Sequence, residues 1–394
     1  MTTLQTRPNP SPAKSSKSHK RVSRRRYVWR RIMVGAGAAI VIVLVLAGIS
    51  LAQTLAQPST DPLSARVAEW ARNHQLGAVV TVLETIQYKL NPPKIGGVPT
   101  NLSLLKSPTT VGQGKQSVRA NPLRVAVVPI VKPALPGEGQ WHVVVSNASG
   151  PVVAESYLRP SSQHSSYLAG VAWMNASQLK FSLHPGYIDP GVDRAFHSKD
   201  SVGGLTAGLV ATFNGGFKIK DARGGFYLNG HQVGPLTNGA ASLVIYKDRS
   251  LHIGSWGRDF QMSNQIVAVR QNLKLLIDHG QLAGNLDSAV QSNWGATIKG
   301  AYFVWRSGIG IRADGNFVYA AGDALSVRDL ALLLKHAGAV EGMQLDINPA
   351  WVSYMWYSHK GSVTPHKLVN FQRPAARYLE PTSRDFIAAY LRAN

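Results

Sequence analysis

The period of the apolar positions changes several times along the chain, and each change predicts an element. Ile32 to Ala52 ("IMVGAGAAIVIVLVLAGISLA") is apolar throughout and carries no charge. Its 21 residues, at a helical rise of about 1.5 Å, reach roughly 30 Å, the hydrocarbon thickness of a bilayer. "RRRYVWRR" (Arg24 to Arg31) precedes it directly. Basic flanks stay on the cytoplasmic side, so the N-terminus is expected inside and the main domain outside. Tyr27 and Trp29 fall at the interface. A cleaved signal peptide is the other reading, with "SLA" before Gln53 as its cleavage site. A cleavable apolar region is usually about 7–15 residues, so an uncleaved single-pass anchor is expected.

Thr60-Asp61-Pro62 has the form of a helix start, and apolar positions recur from Val67 to Leu83, predicting one or two helices up to about Tyr88. Asn91 to Gln116 is rich in Pro, Gly, Ser and Thr and predicts a linker or long surface loop. From Leu123 the pattern shortens to β-like runs, "LRVAVVPIV", "QWHVVVSN" and "PVVAESYL". Three hairpins follow, turning at Asn229-Gly230, at Lys247 to Ser250 and at Asp314-Gly315. Asn-Gly and Asp-Gly tolerate the positive φ that tight turns need. A single late helix is clear in "SVRDLALLLKHAGAV". Ser326 and Asp329 form a capping box, Leu330, Leu333, Leu334 and Ala337 share one face, and Gly338 is the stop. In the strand "EGMQLD" a period of two puts Met343 and Leu345 on one face and Gln344 and Asp346 on the other.

These elements give an α+β fold class: a strand-rich mixed sheet domain with few helices, plus an N-terminal single transmembrane helix. The organisation expected is a basic cytoplasmic tail (1–31), the transmembrane helix (32–52), a membrane-proximal helical region and linker (53–120), and a main domain (121–394). A boundary nearer 180 is the alternative.

Charge sharpens this picture. Residues 1–31 hold ten Lys/Arg and no acid, and the first acid is Asp61. That leaves 42 − 10 = 32 basic against 20 acidic residues, or +12, for the remainder. A cationic outer part suits an anionic substrate or wall polymer, or is simply a solvated surface. The tail Met1 to Lys20 is Ser/Pro/Lys-rich, predicted disordered and able to hold anionic headgroups. The chain has no cysteine, which excludes disulfides, thiol catalysis and thiolate metal sites. No metal-binding, P-loop or nucleophile-elbow motif is present. No essential cofactor is expected; a divalent cation at Asp346 stays open. No nucleic-acid partner is expected, because the densest basic run abuts the membrane segment.

Several residues could carry chemistry, each with a structural alternative. Asp346 stands where the chain leaves a strand, a frequent place for sites; it is a candidate acid, base or nucleophile, or it caps a turn before Pro349. Arg306 in "VWRSGIG" could grip a phosphate in a bidentate manner, or face solvent or pair with an Asp. Asn214, with the N–H groups of Gly215 and Gly216, could donate to a phosphate or sugar oxygen, or be a turn. In "VRQN", Arg270 and Asn272 share a face if this is a strand and could line an anionic pocket; the alternative is a loop before a helix-like "LKLLIDHG". Asp323 is a second carboxylate or part of the helix cap. Asp221 and Arg223 fit a hairpin entry. His184 and His231 are possible proton carriers or structural. Trp294, Trp305 and Trp351 could stack on sugar rings or pack the core.

"LVATFNGGFK" (Leu209 to Lys218), followed by "RSGIGIRADGNFVYAAGDALSVRDLALLLKHAGAVEGMQLDIN" (Arg306 to Asn348), resembles the phosphodiester glycosidase family. The order of an Asn-Gly-Gly-Phe motif, an Arg before a Gly-rich strand, a hairpin, a Leu-rich helix and "LD" is the same, over roughly 200 to 360. "PLTNGAASLVIY", "WGRD", "VRQNL" and "LDINP" are similar to membrane-anchored actinobacterial members. The best-known member removes N-acetylglucosamine from a phosphodiester. The resemblance implies an extracytoplasmic hydrolase acting on a glycosyl–phosphate linkage in a cell-wall polymer or exopolysaccharide, with main domain 121–394 as its domain. It implies catalytic roles for Asp346 and Asp323, and substrate-binding roles for Asn214, Gly215, Gly216, Arg270, Asn272, Arg306, Asn348 and Trp351. Members often read "LDGGGSS" where this chain has Leu345-Asp346-Ile347-Asn348-Pro349. The lost Gly-rich loop motivates the alternative, a non-catalytic cell-wall glycan-binding protein on the same fold.

Overall fold

A computed structural model describes residues 24–57, 59, 61–105, 123, 125–191, 194–196, 199–287, 291–295 and 303–392. The polar tail Met1–Lys20 and positions 106–116 of the predicted linker lie outside these residues. Residues up to Ala56 form one unit and those from Gln57 onward a second.

In the first unit, α1 (Arg24–Ala56) is long and apolar enough to cross a membrane or to serve as a signal sequence. The second unit begins with two helices, α2 (Leu63–Asn73) and α3 (Gly77–Leu90). Eighteen strands follow among the described residues. They are β1 (His142–Asn147), β2 (Gly150–Leu158), β3 (Ala169–Met174), β4 (Leu179–His184), β5 (Leu209–Asn214), β6 (Phe226–Leu228), β7 (His231–Val233), β8 (Ala241–Tyr246) and β9 (Leu251–Ser255) in the first half. Then come β10 (Ile266–Gln271), β11 (Leu275–Asp278), β12 (Gln281–Leu282), β13 (Val304–Arg312), β14 (Phe317–Leu325), β15 (Ala339–Gln344), β16 (Tyr354–Lys360), β17 (Ser362–Lys367) and β18 (Phe386–Leu391). Two four-residue helices, α4 (Ile219–Ala222) and α5 (Gln291–Trp294), and the longer α6 (Val327–His336) interrupt them.

The strands form three sheets, ordered β1-β2-β3-β14-β13-β15-β11-β12, β7-β6-β10-β8-β9 and β17-β16-β5-β18-β4. The fold is thus α+β and strand-rich. The predicted hairpins are present as β6–β7, β8–β9 and β13–β14; Asn229 and Gly230 have φ of 49° and 91°, the pair of positive values of a type I′ turn. The capping box of Ser326 and Asp329 is complete in both directions. Behind it, Leu330, Leu333 and Leu334 are fully buried against the eight-stranded sheet, each side chain contributing about 1.5–3 kcal/mol.

Two segments differ from the pattern reading. The described part of Leu123–Val131 forms no strand. Pro129 and, just beyond, Pro133 carry no backbone N–H, and the Val127 N–H bonds to the Gly139 carbonyl. "LKLLIDHG" is strand β11 with its hairpin to β12, not a helix. Four residues in this stretch are apolar, too few for a helical turn pattern to be told from a short buried strand.

Candidate active site

The ends of strands from all three sheets meet at one place. β15 of the eight-stranded sheet runs out into Leu345-Asp346, β10 ends at Gln271, and β5 ends at Asn214 beside the start of β18 at Phe386. The chain crosses there through "NGGF" because two glycines allow an approach no side chain permits. A Cβ on Gly215 would lie 2.0 Å from Asp385 Oδ2, and one on Gly216 3.1 Å from both Arg270 and Asn272.

A pocket of about 440 Å³ opens at this meeting point. Asp346, Asn348, Trp351 and Arg384 line one side, and Lys218, Lys220, Asp221 and Arg223 line another, with Arg72 of α2 at the wall. Five cations therefore face two carboxylates. The Asp346 carboxylate is buried. Its Oδ1 accepts hydrogen bonds from the backbone N–H groups of Ile347 (2.7 Å) and Asn348 (2.9 Å), and its Oδ2 lies 3.4 Å from the Arg384 guanidinium. Burial raises its pKa above the ordinary carboxylate value, against the opposing pull of Arg384 and the two N–H groups. Burial would lower the pKa of Arg384, but Asp346 and Asp189 outweigh it and the guanidinium stays charged. Burial lowers the pKa of Lys218, with Glu69 opposing. Trp351 is buried beneath three guanidinium groups, those of Arg373, Arg384 and Arg377 at 4.5, 5.2 and 5.4 Å from its ring centre.

Of the residues singled out from sequence, Asp346, Asn348 and Trp351 line the pocket, as do Asp221 and Arg223. The others do not line it. Arg270 is spent on Asp385, with Nε 2.7 Å from Oδ2, and on the carbonyls of Gln271 and Phe217. Asn272 donates to the carbonyls of Gln344 and Leu345, both at 2.8 Å, and accepts from the Phe217 N–H. Asn214 donates to the Gly215 carbonyl and the Ser307 hydroxyl, and accepts from Tyr319 and the Ser353 N–H. Ser307 in turn accepts from the Asp346 N–H at 3.1 Å. Arg306 donates to the Leu325 carbonyl and to Gln344 Oε1. These groups hold the strand ends that place Asp346.

Asp323 does not line the pocket; its carboxylate accepts from the Ala324 N–H at 2.7 Å, and burial raises its pKa. His184 packs on Phe386 and burial pushes its pKa down to about 4. His231 lies edge-on to Phe196. Trp294 is core, and Trp305 rests on Phe371. The pattern reading missed Arg384, Asp385 and Lys218. "SRDF" ahead of the apolar "IAAYL" was the available signal, a polar triplet at a strand start like that of "VRQN".

Among the described residues, Asp278, His279 and Glu341 could hold a metal ion, but they lie on the β11–β15 edge and already bond to one another and to Arg258. A surface hollow of about 490 Å³ beside Trp256, Leu236 and Met262 has no titratable side chain, and so offers no acid or base.

Residues 207–346 match the phosphodiester glycosidase family. No curated protein matches the chain. Among solved structures the chain is similar to the zebrafish N-acetylglucosamine-1-phosphodiester alpha-N-acetylglucosaminidase catalytic domain auto-inhibited by pro-peptide, with 16% identity, 64% of this chain and 88% of that one covered, and a TM-score of 0.41. It is also similar to a hypothetical protein from Synechocystis, with 12% identity, 64% of each chain covered and a TM-score of 0.36. The segment that matches the phosphodiester glycosidase family, residues 207–346, ends on Asp346 itself.

Proposed function

We propose that this chain is a membrane-anchored extracytoplasmic hydrolase that releases a sugar from a glycosyl–phosphate linkage in a cell-wall polymer or exopolysaccharide. The observation that carries the reading is a single buried carboxylate, Asp346, in a pocket walled by Arg72, Lys218, Lys220, Arg223 and Arg384. A phosphodiester carries charge throughout the reaction, and a further charge develops on the leaving phosphate as the glycosidic bond breaks. Fixed cations stabilise that charge in a water-poor site. A phosphate leaves readily as an anion, with a second pKa near 6, so the leaving oxygen needs no proton from a dedicated acid. One carboxylate at the anomeric carbon then suffices, as nucleophile or as base toward water. Arg384 sits between the two tasks, near Asp346 and donating to the Gly216 carbonyl at 3.2 Å. Trp351 supplies an apolar wall for a sugar ring.

A second reading, a glycan-binding protein without turnover, is favoured by one feature: Asp346 Oδ1 is already held by the turn of Ile347 and Asn348. The test is turnover by the full chain on a panel of sugar-1-phosphodiesters, beside Asp346→Asn. Free sugar from the parent alone is the expected result. Glycan binding by both proteins, with no free sugar from either, would replace the hydrolase with the binding protein.

A further inference from the structure

The helical hairpin that follows the apolar α1 has one face held by the domain and one face held by nothing described. α2 is fixed: Asp61, just ahead of it, pairs with Arg373 at 2.7 Å, and Glu69 accepts from Ser383 at 2.8 Å and pairs with Lys218 at 3.2 Å. α3 packs against α2 and turns Val80 inward. Its outer face is different. Leu76, Val79, Leu83, Ile86 and Leu90 follow steps of three and four, with Val82 beside them, and all six are 44–74% exposed. On a helix these steps make one continuous stripe. A stripe of that size on a water-facing surface marks an interaction site.

Two observations name the occupant. Residues 57–75 alone separate the end of α1 from the start of the stripe, so any bilayer that holds α1 is presented to α3 at high effective concentration. The stripe also ends in Lys89, with Lys94 just beyond, cations suited to anionic headgroups. We propose that α3 lies in the bilayer interface, its stripe among the upper acyl chains, and so seats the outer domain on the membrane surface. The proposal rests on the reading of α1 as an anchor. A second copy of the chain is the competing occupant.

The absence of cysteine makes the test direct, since one introduced thiol carries the only label. Spin labels are placed singly at Leu44→Cys in α1, Val82→Cys in α3 and Leu205→Cys, a control that is 72% exposed on the domain. The full chain is reconstituted in phosphatidylcholine–phosphatidylglycerol vesicles, and collision with oxygen is compared with collision with a water-soluble nickel complex. The expected result is oxygen-dominated relaxation at Leu44 and Val82, shallower at Val82, and nickel-dominated relaxation at Leu205. Nickel access at Val82 equal to that at Leu205, with Leu44 deep, overturns the seating and leaves the anchor intact. Spin–spin broadening and disulfide cross-linking between copies at Val82 overturn it in favour of self-association. Nickel access at Leu44 removes the anchor and the seating together.

Discussion

Arg270 offers the sharpest contrast between a substrate-gripping residue and a strut, because the two roles predict opposite observables. Its guanidinium is 1% exposed and meets Asp385, itself buried, through Nε and Nη2 at 2.7 and 3.2 Å. Arg270→Met removes the cation and leaves a desolvated carboxylate facing an apolar chain. Breaking a buried pair on one side costs about 3–5 kcal/mol. In a domain of this size, about 2–4 °C of Tm accompanies each kcal/mol, so a fall of roughly 6–20 °C is expected. Asp385→Leu alone should cost a comparable amount. The double variant Arg270→Met/Asp385→Leu removes both charges, so its loss should be smaller than the sum of the singles, a coupling that a thermodynamic cycle measures directly. The loss will not vanish, because the carbonyls of Phe217 and Gln271 also rely on Arg270. The assay is thermal unfolding of the full chain followed by far-UV circular dichroism, with KM for a sugar phosphodiester measured below the transition. An unchanged Tm for Arg270→Met, together with a raised KM, would refute the strut and return Arg270 to the substrate.

Three further outcomes follow from the same geometry. Gly215→Ala puts a methyl 2.0 Å from Asp385 Oδ2 and 2.9 Å from its backbone carbonyl; overpacking costs about 1–3 kcal/mol or more, and soluble yield and Tm should both drop, an unchanged Tm being the contrary result. Arg384→Ala removes the contact with Asp346 and a charged donor worth about 1.5–3 kcal/mol, so kcat/KM should fall roughly 10- to 150-fold in steady-state assays. Because the folded pKa of Asp346 is raised, its proton stabilises the fold below the unfolded value, near 4, and that contribution is lost as pH rises through the folded pKa. The acidic limb of kcat/KM should therefore lie above pH 4, and Asp346→Asn should unfold no more easily than the parent at pH 7; a limb at or below 4 would contradict the burial.

Legibility from sequence tracks the range of the interactions involved. The capping box of α6, the Asn229-Gly230 turn and the alternation through β13 and β14 depend on residues a few positions apart, so the pattern carries them. The place of Asp346 just past a strand end was legible from the alternation of "EGMQLD". The role of Arg270 was not, because its partner Asp385 is 115 positions away and no local pattern distinguishes an arginine awaiting a phosphate from one already paired. The contacts of Asn214 and Asn272 were hidden for the same reason: an amide bonded to Ser307, or to the carbonyls of Gln344 and Leu345, looks identical in sequence to one that faces a ligand. Lys218 and Arg223 follow "NGGF" closely, yet only the packing of α4 turns them toward Asp346.

Distance along the chain also hides where the domain begins. The sequence pattern sets residues 61–90 apart from the main domain as a helical region, yet Asp61 is 5% exposed and pairs with Arg373, which is itself wholly buried. Ser383, next to the site arginine Arg384, donates to both Asp61 and Glu69. A fragment starting at residue 75 would leave the Arg373 guanidinium desolvated over Trp351 with no carboxylate beside it, and would free Lys218 from Glu69. The first loss alone amounts to about 3–5 kcal/mol, a large part of the 5–15 kcal/mol that holds a typical domain together. Fragment 57–394 should therefore unfold cooperatively at a temperature well above that of 75–394, which should be poorly soluble or expanded. Adding Arg373→Met to 75–394 removes the orphaned charge and should recover part of the difference. Equal transitions for the two fragments would show that α2 rests on the domain without supporting it, and that the Arg373 charge finds water once the helix is gone.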